Sequence, residues 1–148
     1  MPFRSFSSLK ILIVDSNARD VLLLQDMLQV AGHVAHKGLT DTLLAPQLFR
    51  SYQPDLLILA LQDDFSMLDE LQENIDSDDY RPILVLLERD DSSLKRRALR
   101  HGATDFIMKP LDHTDAMLRI GNLLHSRFLH LQHMTTQQAP TQKTPTRL

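Results

Sequence analysis

Four polar side chains that could act together follow the ends of short apolar segments. Asp15 and Ser16 follow the first segment, Glu88 follows a later one, and Lys109 follows the last. Carboxylates are the protein ligands that Mg²⁺ prefers, but one Asp with one Ser hydroxyl makes a poor site for this ion. A partly buried Lys needs a negative partner. These residues predict either a weak cation site or an ion pair between Lys109 and Asp15 or Glu88.

The segments that must position these residues alternate between two patterns. Continuous apolar runs, typical of strands buried on both faces, occupy residues 10–14, 56–61, 83–87 and 106–108, and a more polar run at 34–37 is predicted as an edge strand. Helical spacing separates the runs, with caps predicted at Asn17, Ser66, Asp91 or Ser92, and Asp112. Pro46 predicts a second helix that is short or kinked there. We therefore expect an α/β fold, a doubly wound parallel sheet of five strands with five helices.

The composition excludes several classes of site. The chain has 148 residues, 43% of them apolar, which suits one globular domain. It contains no Cys, which excludes disulfides, thiolate zinc sites and iron–sulfur clusters. Its net charge of −3 argues against general nucleic-acid binding, and no apolar stretch approaches the roughly 20 residues that span a bilayer. We expect a cytoplasmic protein without nucleic-acid or membrane partners.

The end of the chain differs from the rest. The last helical pattern continues past the length needed to cover the sheet, and the sequence then becomes rich in Thr, Gln and Pro. We expect a lead at residues 1–8 that is no secretory signal, one domain at 9–127, an extension of the last helix at 128–134, and a disordered tail or the start of a linker at 135–148.

Four strings resemble a response-regulator receiver (CheY-like) domain with a flavodoxin-like fold. They are KILIVD at 10–15, PDLLIL at 54–59, PILVL at 82–86 and GATDFIMKP at 102–110, in the family's order and spacing. The resemblance implies an acidic pair after the first strand, a phosphoacceptor Asp at the end of the third, a Thr or Ser after the fourth and a Lys after the fifth. It also implies magnesium and a histidine kinase as phosphoryl donor.

This sequence keeps only part of that set. Asp15, Lys109 and Pro110 match, but Ser16 stands at the second acid, Ala60 at the acceptor and Leu87 at the Thr/Ser position. Phosphoryl transfer needs an oxygen nucleophile and a cation that neutralises the transferring group, and Ala60 supplies only a methyl group. We expect a pseudo-receiver that is not an enzyme, takes no cofactor, and binds magnesium weakly or not at all.

Several acidic residues and His residues leave alternatives open. Glu88 either mimics the charge of a phosphoryl group beside Lys109 or is a solvated surface residue. Asp63 and Asp64 either serve as a displaced acceptor or are solvated loop residues before a helix. The acids at 76–79 are predicted to form a solvated patch. His130 and His133 on the last helix are predicted to face solvent, because no third metal ligand is evident.

The fourth and fifth helices are predicted to form an interface. Arg96 and Arg100 share one helix face, and they could meet Asp105 or Asp115 of a second copy. Phe106 matches an aromatic whose orientation reports activation in the family, and an apolar stripe on the last helix needs a covering surface; the stripe comprises Leu124, Phe128 and Leu131. We expect a homodimer, or another protein partner, in two-component phosphorelay signalling. An alternative is the amino-terminal regulatory module of a larger protein, such as a cyclic-di-GMP enzyme.

Overall fold

Strands and helices alternate along the chain, as the apolar pattern predicts. The computed structural model describes residues 6–62 and 64–138. The strands are β1 (Ile11–Val14), β2 (His36–Leu39), β3 (Leu56–Leu61), β4 (Ile83–Leu87) and β5 (Asp105–Met108). The helices are α1 (Ala18–Val30), α2 (Ala45–Tyr52), α3 (Ser66–Gln72), α4 (Ser92–Arg100) and α5 (His113–Gln138). Short 3-10 helices occupy Phe6–Ser8 and Thr42–Leu44.

The five strands form one parallel sheet in the order β2-β1-β3-β4-β5. The α/β doubly wound prediction is therefore confirmed. The predicted bounds of β3 and β4 match the observed ones, because these central strands are buried along nearly their whole length. The edge strand β2 begins two residues later than predicted. It pairs with a neighbour on one side only and is partly exposed, so its apolar content is a weak guide to its ends.

Two apolar layers cover the faces of the sheet. On one face, α1 and α5 pack against alternate strand residues, including Ile13, Ile58 and Leu86. On the other, α2, α3 and α4 pack against the intervening residues, including Leu59 and Leu87. Because successive strand side chains point to opposite faces, one continuous apolar run serves both layers, and the strand ends are left to carry polar groups.

Most helices begin where the sequence predicts. The side chain of Asn17 accepts a hydrogen bond from the backbone N–H of Arg19 at 3.0 Å, and Asp91 caps α4 in the same way. Asp112 accepts from the N–H of Asp115 at the start of α5. Pro46 lies in the first turn of α2, where its missing N–H costs nothing.

The start of α3 differs from the prediction. Phe65 occupies the cap position without a side-chain hydrogen bond, so the predicted cap at Ser66 is wrong. The N–H of Ser66 instead donates to Asp64 Oδ1 at 2.9 Å. Phe65 is 5% exposed and stacks on the ring of His101 with centroids 4.7 Å apart. Burial of this aromatic ring fixes the path into α3, which the capping pattern could not reveal.

The last helix is longer than predicted, and its apolar side is covered by the same domain. It ends at Gln138 rather than near residue 134, and residues 139–148 lie outside the described residues. Leu124 is fully buried, so its predicted role in an interface is wrong. Phe128 and Leu131 are partly buried against the core, and the ring of Phe128 lies 5.9 Å from that of Phe6. Phe6 thus packs against part of the surface for which we expected a partner.

None of the helices in the described part of the chain is long and apolar enough to span a membrane.

Candidate functional site

The carboxyl edge of the sheet brings the predicted site residues together. Asp15 follows β1, Ala60 lies in β3 beside the last residue of that strand, Leu87 ends β4, and Lys109 follows β5. Because β1, β3, β4 and β5 are parallel neighbours in register, their ends meet at one edge. This is the edge at which open α/β sheets form their sites.

Lys109 is the centre of a charge cluster at this edge. Its Nζ lies 2.8 Å from Asp15 Oδ2, 2.8 Å from Asp20 Oδ2 and 3.1 Å from Glu88 Oε2. The side chains of Lys109 and Asp15 are 9% and 2% exposed, whereas that of Glu88 is 48% exposed. The predicted ion pair is therefore present, with both proposed partners. We call Lys109 and these three carboxylates the Lys109 cluster.

Asp15 is held from two directions. Its Oδ1 accepts a hydrogen bond from the backbone N–H of Asn17 at 2.9 Å, which orients the carboxylate at the start of α1. Its buried Oδ2 contacts Lys109 at ion-pair distance but has no donor in good hydrogen-bond geometry. The attraction at Oδ2 is therefore chiefly charge–charge, and it depends on Lys109 remaining in place.

The cluster keeps Lys109 charged. Burial alone would lower the pKa of Lys109, but the carboxylates of Asp15, Asp20 and Glu88 outweigh burial and raise the pKa above its ordinary value. Asp20 was not predicted as a partner. It lies in the first turn of α1, three residues after the cap residue Asn17, and the first turn of that helix sits beside the carboxyl edge. That position was the available signal.

The remaining predicted site residues offer little chemistry. Ser16 is exposed, and Ala60 is partly buried against the core layer of α1 and α5. Leu87 is fully buried in the opposite layer. Pro110 is exposed and follows a cis peptide bond from Lys109. Ala60 and Leu87 thus place methyl groups where the resemblance implies an acceptor oxygen and a hydroxyl.

Of the two acids after β3, one can be described. Asp64 is exposed, and its carboxylate accepts from the N–H of Ser66. That backbone hydrogen bond lowers the pKa of Asp64. Asp63 lies outside the described residues. Asp64 therefore stabilises the turn into α3, which is the structural alternative to a displaced acceptor.

The residues present do not fit a magnesium ion. The three carboxylates of the Lys109 cluster all face an ammonium group, which already neutralises part of their charge. Among residues 6–62 and 64–138, no three His, Cys, Asp or Glu side chains are arranged to hold a metal. Mg²⁺ demands near-octahedral oxygen ligands, and Ser16 replaces the second acid that the resemblance implies.

The four charged residues of the predicted interface fall into two groups. Arg96 and Arg100 are exposed on α4. Asp105 and Asp115, in contrast, are both paired within the chain: Arg119 donates to Asp105 Oδ1 at 2.8 Å and to Asp115 Oδ1 at 3.0 Å. These acids are therefore already neutralised by their own chain, which the sequence pattern did not reveal.

Phe106 lies between cations of two helices. Lys95 Nζ of α4 is 5.5 Å from the centroid of its ring, and the guanidinium carbon of Arg119 of α5 is 6.0 Å from it. Lys95 is itself paired with Asp90 at 2.6 Å. The ring is partly exposed. Cation–π contacts of this kind favour one ring position, so Phe106 is tied to both α4 and α5.

A second polar cluster, missed from the sequence, lies at the opposite edge of the sheet. Arg127 of α5 is 3% exposed and donates to Asp55 Oδ1 at 3.0 Å, to Asp79 Oδ1 at 2.7 Å and to the carbonyl of Tyr80 at 2.8 Å. His130 Nε2 lies 3.1 Å from the same oxygen of Asp79. The expectation that Asp79 and His130 face solvent is therefore wrong.

The charge of Asp79 is strongly stabilised. Burial by itself would raise the pKa of Asp79, but hydrogen bonds from Arg81 and Arg127 lower it to about 2. Since Asp55 and Asp79 precede β3 and β4, this cluster fastens α5 to the amino ends of two central strands. Its role is structural, and it lies across the sheet from the Lys109 cluster.

Known proteins resemble this chain in sequence and in fold. No protein-family model matches the chain. An uncharacterized response regulatory protein of Staphylococcus epidermidis is 29% identical over 96 residues, which is 65% of this chain and 38% of that protein. NtrX of Brucella abortus superposes with a TM-score of 0.76 at 22% identity, over 87% of this chain and 29% of that one. Chemotaxis protein CheY4 of Vibrio cholerae superposes with a TM-score of 0.70 at 19% identity, over 78% of this chain and 98% of that one.

The chain has the fold of a response-regulator receiver domain. The resemblance first carried by the KILIVD, PDLLIL, PILVL and GATDFIMKP strings is confirmed. CheY4 is covered almost completely, and its fold corresponds to 78% of this chain. This chain spans 38% of the length of the Staphylococcus relative.

Proposed function

We propose that this receiver takes no phosphoryl group and acts through protein–protein contacts in two-component signalling. The observation that carries the proposal is the methyl group of Ala60 at the end of β3, where the resemblance implies the acceptor carboxylate. Without an oxygen nucleophile at that position, the transferring phosphorus atom has nothing to bond with. The chain then works as a binding module of a phosphorelay-type pathway rather than as an enzyme.

The Lys109 cluster supports the same proposal. In a working receiver the Lys would meet a phosphoryl oxygen, whereas here Lys109 meets Glu88 from the loop after β4. We infer that Glu88 supplies the negative charge that a phosphoryl group would otherwise bring. Magnesium binding is expected to be weak or absent, because the ammonium of Lys109 already stands among the carboxylates.

The test is phosphorylation by a small-molecule donor. The chain is incubated with acetyl phosphate and millimolar magnesium, and its intact mass is measured. We expect no mass gain, and no change of the tryptic peptide at residues 51–89. The matched control is the Ala60→Asp/Ser16→Asp variant, which restores both missing acids and should regain metal binding. An acyl phosphate on the unmodified chain, mapped to Asp63 or Asp64, would contradict the proposal and favour a displaced acceptor.

The contacts that deliver the output are expected to involve α4. The predicted homodimer through α4 and α5 stays a prediction: Arg96 and Arg100 are available, but Asp105 and Asp115 are paired with Arg119 and Leu124 is buried. Self-association, if carried by α4, therefore needs acidic residues other than those predicted.

A second proposal comes from the length of the Staphylococcus relative. Since this chain spans 38% of that protein, a role as regulatory module of a longer protein, such as a cyclic-di-GMP enzyme, stays open as the alternative. The natural length of the gene decides between the two proposals.

A further inference from the structure

Two neighbouring helices on one face of the sheet carry opposite charges. From residue 64 to residue 80, a stretch that includes α3, the chain has seven acidic residues and no Lys or Arg. Helix α4 has four basic residues and no acid. The two helices lie side by side, because His101 Nδ1, at the end of α4, is 2.9 Å from Asp69 Oδ1 of α3 and the His101 ring stacks on Phe65.

Most of this charge points away from the sheet. In α4, Leu94 and Ala98 are buried, while Arg96 and Arg100 are exposed on the opposite side of the helix. In α3, Leu68 and Leu71 are buried, and Glu70 and the cap residue Glu73 are exposed. Within residues 6–62 and 64–138, none of these four charged side chains forms an ion pair. A positive stripe and a negative stripe therefore stand next to each other without partners.

The contacts at the end of α4 set the relative heights of the two stripes. Asp69 Oδ1 lies 2.9 Å from His101 Nδ1, and the side chain of Gln72 donates to the carbonyl of His101. Asp69 and Gln72 of α3 are therefore level with the end of α4. Glu70 lies near the height of Arg100, and Arg96 is about one turn away from that height.

We propose that a second copy of this chain docks on this surface, with α3 of each copy against α4 of the other. A two-fold axis parallel to the helices and midway between them exchanges the stripes, so that Glu70 of one copy meets Arg100 of the other. Such an interface is isologous, because one patch carries both halves of the contact. The inference rests on the proposed function only in that both give the chain an output through protein contacts.

A second copy fits this surface better than the other candidates do. A nucleic acid would meet the acidic stripe of α3 beside the basic stripe of α4, and its phosphates would be repelled there. The predicted pairing with α5 would require Asp105 and Asp115 to leave Arg119. Electrostatic complementarity chiefly sets register and specificity, so the stripes select the arrangement, and the exposed Leu99 of α4 adds apolar area near them.

Charge reversal in complementary variants tests the arrangement. One variant carries R96E and R100E, so both stripes are negative; the other carries E70K and E73K, so both are positive. Each alone should be monomeric by sedimentation at about 100 μM, a concentration at which we expect the unmodified chain to sediment as a dimer. An equimolar mixture of the two should form a heterodimer, and its dissociation constant should rise at least tenfold between low salt and about 0.5 M salt, because exposed pairs are screened.

Controls separate this interface from general charge effects and from folding defects. The Arg19→Glu/Arg50→Glu variant makes the same change in net charge at exposed positions of α1 and α2 and should remain dimeric. All variants should keep the far-ultraviolet circular dichroism of the unmodified chain.

Three outcomes would overturn the proposal. An unmodified chain that stays monomeric at about 100 μM removes the second copy. A mixture that does not associate removes the exchange of stripes. A dimer lost with R96E and R100E but kept with E70K and E73K moves the interface to α4 and α5. None of these depends on whether acetyl phosphate modifies the chain, so failure here is distinguishable from failure of the proposed function.

Discussion

Replacing Lys109 with Met should destabilise the chain far more than a typical surface charge does. The substitution keeps most of the apolar stem but removes the ammonium that lies within 3.1 Å of three carboxylates. Asp15 is 2% exposed and cannot turn towards water, whereas Asp20 and Glu88 can. Removing one partner of a buried pair costs about 3–5 kcal/mol. Because two of the three acids can relax, we expect a loss near the lower limit, about 3 kcal/mol.

Urea denaturation followed by circular dichroism measures this loss. With a slope of about 2 kcal/mol per molar urea, the midpoint should fall by about 1.5 M. Lys95→Met is the matched control, because Lys95 is also ion-paired, at 2.6 Å, but with Asp90, whose side chain is 80% exposed. An exposed pair contributes about 1 kcal/mol or less. The double variant Asp15→Asn/Lys109→Met removes the buried charge as well and should recover part of the loss.

The pH dependence has a defined sign. The pKa of Lys109 is raised above its ordinary value of 10.5, so its contribution is complete below pH 10.5 and is lost only as pH rises through the higher folded-state value. The difference between the unmodified chain and Lys109→Met should therefore be the same at about pH 6 and about pH 9. Equal losses for Lys109→Met and Lys95→Met, or a double variant less stable than Lys109→Met, would refute the reasoning.

Two further predictions concern packing and the second polar cluster. Leu124→Ala should cost about 2–5 kcal/mol of folding free energy, because Leu124 is fully buried. After correction for stability, self-association should be unchanged. The control Leu118→Ala, at a residue 62% exposed, should cost less than about 0.5 kcal/mol. Since the pKa of Asp79 is lowered from 3.8 to about 2, its contribution is present above pH 3.8 and lost as pH falls towards 2. In urea titrations at successive pH values, the free energy of unfolding of the unmodified chain should fall as pH falls towards 2. Allowing for the partial exposure of Asp79, this fall should be about 1–2 kcal/mol smaller in Asp79→Asn.

The sequence was sufficient for the fold where burial is symmetrical. Strands β3 and β4 were predicted residue for residue, because both of their faces are covered and the apolar run ends where burial ends. It was insufficient on α5, where periodicity shows that one side of the helix is buried but not by what. Leu124 was therefore assigned to a partner, although the sheet and α1 bury it.

The candidate site was predicted as a location more fully than as a set of contacts. The strand ends gave Asp15, Glu88 and Lys109, but Asp20 reaches the cluster from a helix, and no strand pattern points to it. Arg127 was missed for a different reason: a charged residue in a helix is usually counted as exposed. It lies three residues after Leu124, on the buried side, and that position was the signal available.

The permanence of the Lys109 cluster bears on how long a signal lasts. An acyl phosphate is a consumable mark, since its hydrolysis returns a receiver to its resting form after a characteristic time. Under the proposed function this chain takes no phosphoryl group, and the negative charge beside Lys109 comes from Glu88 of its own sequence. Such a receiver has nothing to hydrolyse, and so carries no internal timer. The duration of its output would then be set by how much of the protein and its partner the cell maintains, and by the lifetime of their contact.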